Sequence, residues 1–308
     1  MVRRFIVSAA LSLLCGLPVA RAYVAIVNKT DNAEIHVVPA PGKVTVDGAL
    51  QDWDLSGTIT MFLDEVSRDV YSVRGAMMYD PEALYIGGQV KDPTPLVNAY
   101  AFGGDVNMSW NADAIQIRFL SNPGALSRAT TQGGGPPPPE IDACINHITL
   151  WYSTEDKKAG FFVLRTLGFA EPALNPPGVE GAYKADADGK GYAFEYRIPW
   201  GVLRAPRPFV GGDTAQTQWQ LHWGNDQGTA VRCGMTDVRH ASSGDLGYMG
   251  PTSWGTAVFE KSGNLKLAAK TRLGRAEGHI PIAFKLEKDS KVSLAICDAS
   301  GKLVRTCL

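Results

Sequence analysis

Apolar residues recur at every second position through short runs along most of this chain, and no long stretch repeats them at helical spacing. Ile115, Ile117 and Phe119 alternate with Ala114, Gln116 and Arg118, the period of a half-buried β-strand. Runs at Tyr71–Tyr79 and Leu84–Val90 flank Asp80-Pro81-Glu82-Ala83, a turn composition, so the pair predicts a hairpin. Lys43-Val44-Thr45-Val46 reads as a strand leading into Asp47-Gly48. Further strands are predicted at 114–120, 143–152, 160–167, 192–198, 217–223 and 254–260. Asp188-Gly189 reads as the turn of another hairpin. Short strands separated by turns predict an all-β fold, an antiparallel β-sandwich.

Breaks in that pattern mark the ends of the sandwich. Val2-Arg3-Arg4 is a basic n-region, Phe5–Ala20 is apolar, and Ala20-Arg21-Ala22 fits an A-x-A cleavage site. Residues 1–22 therefore read as a signal peptide cleaved after Ala22, which places the mature protein in the periplasm or outside the cell. A lipoprotein would use Cys15, but Leu14 before it is bulkier than the usual small residue. Residues 23–39 read as a lead-in and 40–262 as the sandwich. Within it, Gln132-Gly133-Gly134-Gly135-Pro136-Pro137-Pro138-Pro139 is unfit for a sheet ladder and reads as a loop, a surface insertion or the frame of a groove. Residues 263–308 read as a linker followed by strands at 280–286, 291–297 and 302–307, too few to bury a core of their own.

The 308 residues are 45% hydrophobic and 20% charged, ordinary for a chain that buries a core. A net charge of −1 without long single-sign runs excludes a nucleic-acid footprint and a basic membrane patch. No second hydrophobic span follows the leader. Four cysteines remain after cleavage; an oxidising compartment permits Cys144–Cys233 or Cys297–Cys307 bridges, and buried thiols are the equal alternative.

Sequence motifs for nucleophilic, zinc and phosphate chemistry are missing. Asp105, Asp113, Glu195 and Asp226 are the carboxylates a glycosidase pair would draw on, but no spacing ties two of them together. Glu195 alternates with Phe194 and Tyr196 and is expected to face solvent beside Arg197. Asp186–Gly191 resembles a calcium loop but lacks its third acidic position, and Asp47, Asp52 and Asp54 are a second candidate ion cluster. The aromatic residues say more. Trp219 and Trp223 alternate with Leu221 as core, and Trp53, Trp151 and Trp200 close sandwich edges. Trp110 and Tyr248 instead border Gly-rich loops. Each is either a lid on the sandwich edge or a flat platform for the C–H face of a sugar.

Ordered segments also resemble a known family. Val46-Asp47-Gly48-Ala49-Leu50-Gln51-Asp52-Trp53, Ala83–Asp92, Trp110–Ile117, Gly191–Trp200, Gly224-Asn225-Asp226 and Ser253-Trp254-Gly255 follow one another with the spacing of carbohydrate-binding module family 9, a DOMON-like β-sandwich. The resemblance implies non-catalytic binding of a polysaccharide or oligosaccharide chain end between two aromatic rings. Trp110 falls on the first of those positions and Tyr248 near the second, where Trp is usual. Gln116 replaces the usual Glu, His147 is the candidate basic contact, and Asn225 and Asp226 complete the ligand-binding candidates. Family members often carry structural calcium, for which no ligand positions are assigned here. Some DOMON-like sandwiches bind haem instead, for which Met77, Met78 and His147 are the available residues, and a structural or adhesive domain without sugar binding is the third reading. Val292–Ile296 and Gly301–Arg305 resemble the opening hairpin of a C-terminal immunoglobulin-like module of the flagellar hook-capping type. The organisation implied is an accessory module linked to a catalytic or surface-anchoring domain.

Overall fold

The computed structural model describes residues 34–62, 68–123, 144–165, 171–229, 231–235, 254–267, 295–297 and 303–306. In chain order the strands of the main unit are β1 (Glu34–Pro39), β2 (Ile59–Phe62), β3 (Ser72–Tyr79), β4 (Ala83–Lys91), β5 (Ala114–Leu120), β6 (Ile145–Ser153) and β7 (Lys158–Arg165). They continue as β8 (Ala173–Leu174), β9 (Glu180–Ala185), β10 (Gly191–Pro199), β11 (Thr214–Gly224), β12 (Val231–Met235) and β13 (Gly255–Phe259). Two 3-10 turns, Leu55–Gly57 and Val106–Met108, are the only helical elements among the described residues. The expected all-β class holds, and β5 has the predicted bounds. A separate unit contributes the hairpin of β14 (Ala295–Cys297) and β15 (Leu303–Thr306), inside the predicted tail strands. The expected strand at 280–286 lies outside the described residues.

All thirteen strands of the main unit belong to one sheet, ordered β8-β7-β6-β5-β11-β13-β1-β3-β4-β10-β9, with β12 on β11 and β2 on β3. The sheet curls so that its two halves face each other. Ile115, Ile117 and Phe119 of β5 share a single core with Ile148 and Leu150 of β6, Trp219 and Trp223 of β11, and Phe194 and Tyr196 of β10. Two polar ties cross it: Trp223 Nε1 donates to Lys91 O (3.0 Å), and the Tyr196 hydroxyl donates to Gly160 O (2.8 Å). Close approach demands a glycine at position 75 of β3, because a Cβ there would lie 2.6 Å from the Trp219 ring.

The pairing corrects the purely antiparallel expectation. β1 runs parallel to both β13 and β3, which makes the sheet mixed, and it is the seam that joins the two halves. Residues Glu34–Pro39, within the segment read as a lead-in, are therefore part of the sandwich. Lys43–Val46 is not a strand. Thr45 N donates to Asp52 Oδ2 (2.6 Å), and Val44 packs with Trp53, Met78 and Tyr85 over the outer face of β3 and β4.

Glu195 is a second correction. It lies on the outer face of β10 as its alternation predicts, yet it is fully buried, because the segment from Asp47 to Trp53 folds over it. Its Oε1 accepts from Asp47 N (2.7 Å), Gly48 N (2.6 Å) and Ala49 N (3.2 Å), and its Oε2 accepts from Trp53 Nε1 (2.8 Å). Gly48 makes this wrap at φ +84°, where a side chain would be strained. Cys144 is a buried thiol whose S–H donates to Arg204 O (3.3 Å), the second of the two alternatives left open for it by the sequence. Cys307 and the side chains of Cys233 and Cys297 lie outside the described residues.

Candidate functional site

Most outward residues of β5, β6 and β11 are polar and those of β7 are apolar, and this face of the sheet is nearly closed off from solvent. Cross-strand register arranges them in two rows. One runs Phe162, Thr149, Gln116 and Gln220; the next runs Leu164, His147, Arg118 and Gln218. His222 stands beside Ala114 one step further along the strands. Most of these side chains line a cavity of about 280 Å3, near the small end of the roughly 300–1,000 Å3 range of ligand pockets.

Hydrogen bonds within and between the rows fix the floor. Gln116 Nε2 donates to Thr149 Oγ1 (3.2 Å), and Gln116 Oε1 faces His222 Nε2 (3.2 Å). Arg118 Nη1 donates to Gln218 Oε1 (3.3 Å) and to Gln220 Oε1. Burial, with the Arg118 charge adding to it, pushes His147 and His222 down to about 3. Both rings are therefore neutral near pH 7, and a neutral imidazole offers one donor and one acceptor.

Trp110 completes the cavity. Six of the seven tryptophans are buried; Trp110 alone is half exposed, its ring 5.7 Å from that of His222 at 58°. Two buried residues set the short segment that carries it. Asn98 Nδ2 donates to Ser109 O (2.8 Å) and Asp113 O (3.1 Å), on either side of Trp110. Asp113 Oδ1 accepts from Gly224 N (2.6 Å) and Oδ2 from Val97 N (2.8 Å). Burial, joined by the charge of the neighbouring Asp92 carboxyl, pushes the Asp113 carboxyl up to about 7 against those bonds. The ring is thus placed by main-chain clasps and stands over a grid of donors and acceptors. Such an arrangement can stack on a flat apolar ligand face while exchanging hydrogen bonds with its rim.

No protein-family model matches the sequence, and no curated protein matches it. Among solved structures, the chain is similar to a carbohydrate-binding module family 9 domain from Caldicellulosiruptor kristjanssonii in complex with cellotriose. That likeness has 15% identity and a TM-score of 0.45, and covers 76% of this chain and 97% of that one. The glucose complex of a family 9 module from the same organism is 14% identical, with a TM-score of 0.42 and coverage of 75% and 98%.

Of the residues singled out in the sequence, the cavity brings together Trp110, Gln116 and His147. Asn225 and Asp226 lie at the end of β11 outside its lining; Asn225 Oδ1 accepts from Gln227 N (3.1 Å) and Thr229 N (3.2 Å), shaping its own turn. Tyr248 lies outside the described residues. The three candidate haem ligands do not converge: Met77 is in the main core, Met78 Sδ accepts from Asp54 N under the opposite outer face, and His147 lines the cavity. Among the described residues no three His, Cys, Asp or Glu side chains group as a metal site. Asp186 accepts from Gln89 and Asp188 from Lys190 N, whereas Asp47, Asp52 and Asp54 each accept from a main-chain N–H. Arg118, Thr149, Gln220, His222 and Asn98 went unnoticed as site residues in the sequence, and Asp113, named there as a possible glycosidase carboxylate, instead positions the Trp110 segment. Their one signal is a recurrence of polar residues at successive outward positions of β5, β6 and β11.

Proposed function

We propose that this chain is a secreted, non-catalytic carbohydrate-binding module that holds a sugar ring against Trp110. The carrying observation is that single half-exposed tryptophan above a buried grid of amide, hydroxyl and neutral imidazole groups set around the Arg118 guanidinium. A sugar presents the complementary surface: apolar C–H faces for the indole and hydroxyls for Gln116, Thr149, Gln220 and the histidines. Tyr248 is the candidate for a second ring, on the sequence resemblance alone. Binding rather than hydrolysis is favoured because no Asp or Glu is among the described lining residues, so a carboxylate pair has no place there. The leader at residues 1–22 supports export, and the resemblance supports an accessory role beside a linked catalytic or surface-anchoring domain. Structural calcium remains part of the resemblance only.

Glucose and cellotriose, the ligands in the two Caldicellulosiruptor structures, are the first probes. Either sugar should shift the amide resonances of β5, β6 and β11, and Trp110→Ala should remove those shifts. Their persistence in Trp110→Ala, with the same midpoint, would overturn the assignment.

A further inference from the structure

At the edge where β7 approaches β9, the two layers of the sandwich leave a groove of about 930 Å3. Among the described residues it shares no lining with the Trp110 cavity; Phe161 lines the groove and its neighbour Phe162 the cavity, on opposite faces of β7. Its volume is near the top of the range for ligand pockets, enough for several sugar rings.

Three half-buried rings line it at fixed angles. Tyr152 and Tyr183 have centroids 6.0 Å apart at 52°, and Phe102 is held edge-on against Trp151 at 5.7 Å and 88°. The polar groups between them are pre-set. Asn175 sits at φ +43°, its N–H donating to Phe161 O (2.8 Å) and its Oδ1 accepting from Phe161 N (2.7 Å), so its amide Nδ2 remains for a ligand. Asp156 Oδ2 accepts from Phe102 N (2.8 Å) and Ser153 Oγ (2.6 Å), so its other oxygen remains as an acceptor. Lys157 and Lys158 balance Asp156 and Glu180, so the described lining residues carry no net charge. Two of the four non-glycine residues at positive φ among the described residues, Lys157 and Asn175, line this one groove. Strained backbone persists where the surroundings hold it in place, and it gathers at ligand sites.

Aromatic walls, uncommitted donors and acceptors and zero net charge are the complement of a neutral polyhydroxylated chain. We propose that this groove is a second, independent saccharide site, taking a neutral oligosaccharide segment, so that one chain engages glycan at two places. Two sites on one rigid unit raise avidity toward a polymer without any new contact at either.

Titration of the full-length chain with cellotriose, xylotriose, mannotriose and maltotriose at millimolar concentration, read by amide chemical shifts, separates the two sites. At least one trisaccharide should shift residues 156–158 and 175–182, in the wild type and equally in Trp110→Ala. Asn175→Gly keeps the left-handed backbone and removes the amide, and should weaken binding at the groove about threefold to tenfold, the worth of one hydrogen bond. Three results would overturn the proposal: no groove shift with any of the four sugars, loss of the groove shifts in Trp110→Ala, or unaltered groove affinity in Asn175→Gly. Groove shifts without any on β5 and β11 would leave this proposal standing and remove the Trp110 assignment.

Discussion

Trp110 and Glu195 show how residues of opposite exposure are set by distant contacts. Trp110 stays half exposed because Asn98 and Asp113 fasten the main chain on both sides of it, leaving the ring no core to enter. Truncating a ring of this kind at the centre of a site costs about 2 kcal/mol, roughly a 30-fold loss of affinity. Trp110→Ala is expected to show that loss at its own cavity by calorimetry or chemical-shift titration, with Trp110→Phe intermediate. Glu195 works inward instead. Its carboxylate gathers three main-chain N–H groups and the Trp53 indole N–H, so the whole segment from Asp47 to Trp53 hangs on one side chain. Burial raises its proton affinity, opposed by the bonds from Trp53, Asp47 and Gly48. Glu195→Gln keeps the shape but turns an amide donor toward a donor and removes the charge from the other bonds. A loss of about 2–3 kcal/mol is expected, as for a buried charge-assisted hydrogen bond. Equilibrium denaturation with a wild-type midpoint would contradict this role.

The segment from Ser109 to Asp113 links pH to the site. The folded Asp113 carboxyl is raised to about 7 from an ordinary 3.8, so it favours the protonated form more than the unfolded chain does. Its contribution to stability is fully present below pH 3.8 and is lost as pH rises through about 7. Asp92 carries the second carboxyl of the cluster, and the buried Tyr192 hydroxyl also feels both charges. The wild-type melting temperature should therefore decline across that window, and Asp113→Asn should flatten the decline; parallel curves for the two proteins would refute the assignment. The same elements show what sequence pattern reveals. β5 was legible to the residue because one strand carries its own alternation. The cover on its polar face was not, since it comes from Trp110 and from β7 and β11, and alternation cannot distinguish water from a closed polar grid. Glu195 was misread for the same reason: its cover is a loop some 147 residues away in sequence. Of the site, Trp110, Gln116 and His147 were legible through a resemblance of ordered motifs, whereas Asn98 and Asp113 act through main-chain bonds that leave no spacing.

At the scale of the whole molecule, the decisive strand is one that the sequence left out. Glu34-Ile35-His36-Val37-Val38-Pro39 is short and ends in a proline, and hairpin signals do not announce parallel partners. Yet β1 lies between β13 and β3, and among the described strands it is the one whose main-chain ladder joins the two halves of the sheet, which are otherwise tied by core packing and side-chain bonds such as those of Trp223 and Tyr196. Ile35 and Val37 are wholly buried in the main core, Val38 in the cluster on the outer face, and His36 Nδ1 meets Glu260 Oε1 at 2.7 Å. Each buried apolar side chain is worth about 1.5–3 kcal/mol, and three of them approach the whole stability of an ordinary domain. A version of the protein beginning at Ala40, where the pattern of strands places the boundary, should consequently fail to fold, with collapsed amide dispersion and no cooperative thermal transition. A version beginning at Val24 retains β1 and should unfold cooperatively. If the shorter protein melted like the longer one, the sheet would be held by its two faces alone and β1 would be an ornament on their edge.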